Sequence, residues 1–264
     1  MYKVLNNKKF GKFVLFAAAG MLLIINFFKT VPVQSYEWGL YFEKPQTVPV
    51  PNLEDEKINP LGAYYHGNTE KNIIYLTFDS GYENGNTEKI LQALKAHNAP
   101  AIFFMTGQNI EENPELVKLI LSYGQKVGNH SYHHPDMSKK SRNDFEKELD
   151  LTRQAYKKIT GQDIPKFYRP PEGKFSLENL KTAQSLGYTT VFWSSAYVDW
   201  DPAKQPSEET AFARIKERTF PGAVFLLHSV SKTNADILDR QLTLWEEQGY
   251  SFGDVANLAN DYNT

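Results

Sequence analysis

The 264-residue sequence contains no cysteine, which excludes thiol nucleophiles, thiolate metal ligands and disulfide scaffolding, and leaves the compartment open. It also lacks any excess of positive charge. Against 31 acidic residues stand 29 basic ones, and the first 29 residues hold five lysines and no acid, so the remainder carries 24 basic residues and a net charge of −7. An acidic body offers no electrostatic footprint for nucleic acid. Internal repeats and low-complexity tracts are absent too, which sets aside solenoid and fibrous classes. What is abundant is apolar and aromatic: hydrophobic residues at 41% and aromatics at 14% exclude a disordered chain. The length suits one large single-core domain.

One apolar run is long. Lys3, Lys8, Lys9 and Lys12 precede residues 13–28, the charged-then-apolar pattern of an export signal. At 16 residues the run is slightly short for a spanning helix. Val33-Gln34-Ser35 matches a small-residue cleavage site poorly, so residues 1–29 read either as a signal peptide or as a retained membrane anchor. The membrane is expected to touch the protein only there. Residues 30–67, broken by Pro32, Pro45, Pro49, Pro51 and Pro60, read as an extended arm whose aromatics Tyr36, Trp38, Tyr41 and Phe42 pack back onto the domain.

From residue 68 to 264, apolar runs alternate with helical patterns. Runs at 73–78, 101–105, 125–127, 167–169, 189–193, 223–227 and 250–252 read as seven buried parallel strands. Between them, Asn113-Pro114, Ser141, Ser176 and Ser207 mark helix starts, and Gly161, Gly187 and Gly249 mark helix ends. Repeated strand–helix units imply an α/β fold, either an open doubly wound sheet or a barrel of seven or eight strands. Asp79, His130, Arg169, Asp199 and His228 each fall at or just after the C-terminal end of a different predicted strand. A barrel gathers those ends into one ring, and is therefore the preferred reading.

His130-Ser131-Tyr132-His133-His134 offers two imidazoles four residues apart, able to grip a divalent cation of the zinc type through neutral nitrogens. A surface histidine cluster is the alternative, and which two of the three would bind stays open. Asp79, at a predicted strand tip before Ser80-Gly81, projects into a cleft or opens a turn. His228 ends an apolar strand, as a reactive group or as a satisfied core histidine. Arg169, in a stiff Arg-Pro-Pro turn, is suited to orienting a carboxylate. Asp199-Trp200 adds a carboxylate and an indole. Each has an ordinary structural explanation when taken alone; their joint occurrence decides.

Taken in order, TFDSG, HSYHH, RPPEG, VDW and LLH resemble the five motifs of the NodB-homology polysaccharide deacetylases, carbohydrate esterase family 4, over residues 71–260. TFDSGYENG, GNHSYHHPDM and VFWSSAYVDW are similar to its sporulation branch, which makes muramic δ-lactam in the spore cortex. The resemblance implies a distorted (β/α) barrel of about seven strands, a divalent metal, and hydrolysis of N-acetyl groups on peptidoglycan glycan strands. It implies Asp79 as general base oriented by Arg169, His130 and His134 as metal ligands, and His228 as general acid tuned by Asp199. Trp200 and Leu226 would line the sugar or acetyl pocket, and a backbone N–H near Glu172 would complete an oxyanion site. An exported monomer acting in the wall, or in the forespore intermembrane space, is the corresponding expectation.

Two positions depart from the family pattern. Ser80 stands where the family has a second aspartate as third ligand and the sporulation branch commonly has asparagine; a neutral hydroxyl makes the metal weakly held. Glu172 stands where an arginine of the branch would meet the lactyl carboxylate of muramic acid, and a glutamate repels it. Lys174 is a candidate for the missing positive charge. A metal-poor wall-binding pseudoenzyme and an O-acetyl polysaccharide esterase are the competing functions.

Overall fold

The computed structural model describes residues 34–264; the apolar N-terminal run and Val33 of the candidate cleavage site lie outside them. In chain order the strands are β1 (Ser35–Glu37), β2 (Leu40–Tyr41), β3 (Val50–Pro51), β4 (Ala63–Tyr64), β5 (Ile73–Ser80), β6 (Ala101–Met105), β7 (Lys126–Asn129), β8 (Phe167–Tyr168), β9 (Lys174–Ser176), β10 (Thr189–Val191), β11 (Ser195–Ala196), β12 (Val224–His228) and β13 (Ser251–Gly253). Nine of them form one parallel sheet in the order β11-β12-β5-β6-β7-β8-β10-β4, with β13 also paired to β5. The path has two ends, so the sheet curls as a part-barrel, and all seven expected strands are in it. The two-residue strands β4 and β11 are additions too short to leave a periodic signal.

The central strand β5 shows how the sheet is layered, because successive side chains of a strand point to opposite faces. Ile74, Leu76 and Phe78 pack outward with Ile90 and Leu94 of the helix Thr87–Ala96 and with Leu238, Leu242 and Trp245 of the helix Lys232–Glu247. Tyr75 points inward, where it joins Ile102, Phe104, Val191 and Val224. Asp79 has the inward parity of Tyr75. Ser80, the last residue of β5, has the outward parity of Leu76 and Phe78. His228 pairs in register with Asp79 across β12 and β5, so the two reactive side chains leave the sheet side by side.

The connecting helices start and stop where their caps dictate. Ser141, Ser176 and Ser207 each accept a hydrogen bond from the backbone N–H three residues on, Pro114 opens its helix, and Gly161 ends another at a φ of 74°. The N-terminal aromatics are tied to the sheet. β1 pairs with β9, Trp38 stacks on Phe192 at 4.4 Å and donates its indole N–H to the Trp193 carbonyl at 2.9 Å, and Tyr36 stacks on Phe175. Tyr41 is the exception, 68% exposed.

Gly128 in β7 is where two layers come closest. A methyl added there would lie 2.7 Å from the Phe104 ring, the same ring that the Arg169 guanidinium covers at 4.4 Å. Gly128→Ala is therefore expected to lower stability by ~1–3 kcal/mol through overpacking, read as a lower urea midpoint at unchanged slope, and to lower activity with it. A midpoint equal to the parent's would show that the ring yields freely.

Candidate active site

Arg169 is fully buried just past the end of β8, and every part of its guanidinium is used. Nε donates to the Val191 carbonyl at 2.9 Å, Nη2 to the Phe192 carbonyl at 3.2 Å, and Nη1 to Oδ1 of Asp79 at 2.9 Å. Burial works against the Asp79 carboxylate, but His130, Arg169 and His228 around it outweigh that and hold its pKa below the ordinary value. Its other oxygen lies 3.5 Å from Nε2 of His130. The Arg169 carbonyl meanwhile faces Nδ1 of His130 at 2.9 Å. A carbonyl only accepts, so Nδ1 carries the proton and Nε2 presents a lone pair toward Asp79. Burial, against the pull of Asp79, lowers the His130 pKa to about 4, so the ring is neutral at neutral pH.

The three histidines of the HSYHH segment separate by function. The His130 and His134 rings meet edge to face with centroids 4.9 Å apart, and both line the cavity. His133 turns away: its Nδ1 meets Glu148 at 2.9 Å, and the other oxygen of that carboxylate accepts from the backbone N–H of both Tyr132 and His133. Glu148, on the helix Arg142–Thr160, thereby clamps the loop. The segment is not the single helical turn that the four-residue spacing suggests; Ser131 and His134 have φ of 61° and 56°, and the pair meets through two left-handed residues. Ser80 is fully buried, and its hydroxyl accepts from Nδ2 of Asn109 at 3.1 Å, on the helix side of the sheet.

His228 is built as a second unit. Its Nδ1 meets Asp199 Oδ1 at 2.7 Å, while Asp199 Oδ2 accepts from the His228 backbone N–H at 2.8 Å and from Asn234 Nδ2 at 2.6 Å. Tyr197 donates to the Asn234 side-chain oxygen, and Gln205 holds the Asp199 carbonyl at 2.8 Å. Burial disfavours a charged His228 ring, but Asp199, and Asp79 more distantly, outweigh it and raise the pKa above 6.5. The two units thus pull in opposite directions: an arginine favours the ionised form of a carboxylate, and a carboxylate favours the protonated form of an imidazole.

Both units open on one cavity of about 1250 Å³, which the C-terminal strand ends line. Leu226 forms part of its wall at 7% exposure, and Trp200, 54% exposed, stands edge-on to His228 at 6.2 Å. Glu172 lines it from a left-handed conformation with a φ of 53°, its carboxylate engaged by Lys174. Ser80 and Asp199 stand behind the lining. Glu148, Asn234, Trp193 and Tyr82 also shape or support the cavity and were not anticipated. Only Asn234 leaves a local trace, as the third residue after the N-cap Ser231, and that position speaks of a helix start rather than of Asp199.

A protein-family model described as polysaccharide deacetylase matches residues 66–191. The chain is 40% identical over 231 residues to the peptidoglycan-N-acetylmuramic acid deacetylase PdaA of Bacillus subtilis, covering 87% of this chain and 88% of that protein. A peptidoglycan-N-acetylglucosamine deacetylase of Bacillus cereus is 31% identical over 240 residues, 84% of this chain and 86% of its own. The solved structure of B. subtilis PdaA, a family 4 carbohydrate esterase, superposes with a TM-score of 0.82 over 86% of this chain and 98% of that one. A family 4 pseudoenzyme from Bacillus anthracis superposes at 0.70, with 31% identity, over 75% and 69% respectively. Motif order, part-barrel and sequence identity agree: the chain belongs to the polysaccharide deacetylase family of carbohydrate esterases.

Proposed function

We propose that the protein is a metal-dependent peptidoglycan deacetylase that hydrolyses N-acetyl groups of glycan strands, with N-acetylmuramic acid as the preferred sugar, as the name of its B. subtilis relative states for that protein. The observation that carries this reading is the pairing, at adjacent strand ends on one cavity, of Asp79, whose ionised form Arg169 favours, with His228, whose protonated form Asp199 favours. Amide hydrolysis needs both, a base to take a proton from water and an acid to give one to the departing amine. Asp79 accepts the water proton while Arg169 fixes its angle. His228 delivers a proton from Nε2 to the sugar nitrogen, and Asp199 stabilises the imidazolium. Trp200 and Leu226 bound the acetyl and sugar faces.

The donor set fits a divalent cation of the zinc type. Two imidazole rings meet at the cavity, and His130 has its Nε2 lone pair fixed by the Arg169 carbonyl, the orientation that metal-binding histidines take. His130 and His134 would hold the ion, which when bound polarises the acetyl carbonyl and acidifies water. Ser80 adds no charge and is engaged by Asn109, so the ion would be held by two protein ligands and exchange readily. That same feature favours a second reading, a wall-binding pseudoenzyme. In this proposal the protein works outside the cytoplasm, at the wall or in the forespore intermembrane space, as a monomer on spore-cortex strands, with the N-terminal apolar segment as a cleaved signal or as its one membrane anchor. Among the described residues no helix is long and apolar enough to cross a membrane.

Incubation with peptide-stripped glycan strands and Zn²⁺ is expected to release acetate, with chelation abolishing it and His130→Ala failing to retain the ion in a calorimetric titration. No acetate with or without metal would end the deacetylase reading, and no binding in the titration would leave the pseudoenzyme. Faster release from O-acetylated than from N-acetylated strands would mark an esterase.

A general acid must be protonated to act, so the rate is expected to be full below the raised pKa of His228 and to fall as pH climbs through it. Asp199→Asn removes the charge that raises this pKa. The alkaline limb of kcat should then move to lower pH, and kcat near neutrality should drop by about 10²–10⁴-fold, the usual worth of a positioned acid. An unmoved limb would assign the acid elsewhere.

A further inference from the structure

The cavity extends well beyond the reacting groups. At about 1250 Å³ it exceeds the roughly 300–1,000 Å³ of pockets that enclose a single small ligand. Part of its lining comes from the helix Glu208–Arg218, whose Thr210, Arg214 and Arg218 face the space. Arg214 and Arg218 are one turn apart and so lie on one helix face. Arg214 is half exposed and bonds Glu217 at 2.9 Å. Arg218 is different. Its guanidinium is partly buried against the Phe42 ring at 4.7 Å, and among the described residues no carboxylate lies within ion-pair distance of it.

An arginine partly withdrawn from water without a counter-ion is a cost the fold must offset. Burial first, and the like charge of Arg214 second, pull the Arg218 pKa below its ordinary value, so the charge is under electrostatic pressure. The helix C-terminus and the Phe42 face relieve part of that pressure. Neither supplies the bidentate acceptor that a guanidinium fork matches. Glu172, also in the lining, is engaged by Lys174 and offers nothing to an anion.

We propose that Arg218, assisted by Arg214, forms an anionic subsite that takes a carboxylate borne by the next muramic acid of the strand, two sugars along from the one whose acetyl group is removed. This rests on the deacetylase reading and names the substrate feature that reading leaves open. A glycan strand presents such a carboxylate in two forms, the lactyl ether of a peptide-free muramic acid or the free end of a stem peptide. Chito-oligosaccharide, with the same backbone and the same acetyl groups, presents none.

The test uses the full chain with Zn²⁺, the variants Arg218→Gln, Arg218→Lys and Arg214→Gln, and three fluorescently end-labelled substrates: peptide-free strands, peptide-bearing strands and chitotetraose. Acetate release gives kcat and KM, fluorescence anisotropy gives strand affinity, and circular dichroism melting confirms folding. Arg218→Gln is expected to raise KM and weaken binding about tenfold for the carboxylate-bearing strand with kcat unchanged, and to leave chitotetraose unaffected. Arg218→Lys should recover part of the loss, and Arg214→Gln, an exposed change that spares the fold, should show a smaller effect of the same kind. An effect confined to peptide-bearing strands assigns the carboxylate to the stem peptide. Equal losses on chitotetraose, or no loss on any strand, overturn the subsite. Strand binding that depends on Arg218 without acetate release from any substrate would overturn the deacetylase reading and leave the subsite standing.

Discussion

The Arg169–Asp79 ion pair is the contact on which the rest of the site depends. A guanidinium with no exposure needs partners inside the protein, and here each of its three nitrogens has one: two strand-end carbonyls and one carboxylate oxygen. Breaking such a pair by removing one partner costs about 3–5 kcal/mol, because the other charge is left buried and alone. Asp79 is thus bound into the fold as well as into the chemistry. Arg169 reaches further through its backbone: the carbonyl that accepts from Nδ1 of His130 fixes that ring's tautomer. One residue aims the base and the first imidazole together, so neither can rotate independently of the other.

The second unit obeys a different economy. Asp199 is as deeply buried as Arg169, yet it is satisfied by the imidazole, a backbone N–H and an amide, all supplied by the turn that begins at His228. The β5–β12 register then sets the acid beside the base. Parallel pairing in the centre of a sheet is more rigid than any loop, so the distance between proton acceptor and proton donor is a property of the sheet. The elements around those strand ends supply the rest of the cavity: the aromatic wall, the Glu172–Lys174 pair and the basic helix face.

This division explains what could be read from the sequence. The strands that end at or just before Asp79, His130, Arg169 and His228 lie in apolar runs, and the caps at Ser141, Ser176 and Ser207 are local chemistry, so both were legible, whereas β11 ahead of Asp199 was not. The partners that orient the site were not. Glu148 reaches His133 across 15 residues and Asn234 reaches Asp199 across 35, distances over which periodicity carries no information. The HSYHH spacing was legible as a pair of imidazoles, but the left-handed turns at Ser131 and His134 that bring them together have no glycine to announce them. Arg218 has the same opacity. A basic residue at a helix C-terminus is ordinary, and only the packed structure shows that its charge faces a cavity without a carboxylate beside it.

Ser80 shows how parity and chemistry combine at one residue. It shares the outward face of β5 with Leu76 and Phe78, and it is fully buried. A carboxylate at such a place would need a cation or several donors to offset desolvation. A hydroxyl bonded to the Asn109 amide needs neither. The fold can therefore close without the ion, and in the proposed reading the imidazole pair contributes all the protein's share of its binding. Two neutral ligands leave the full charge of the cation facing Asp79 and the cavity, where less of it is cancelled than a carboxylate ligand would cancel. Weaker retention and stronger polarisation of a bound acetyl group then follow from the same substitution.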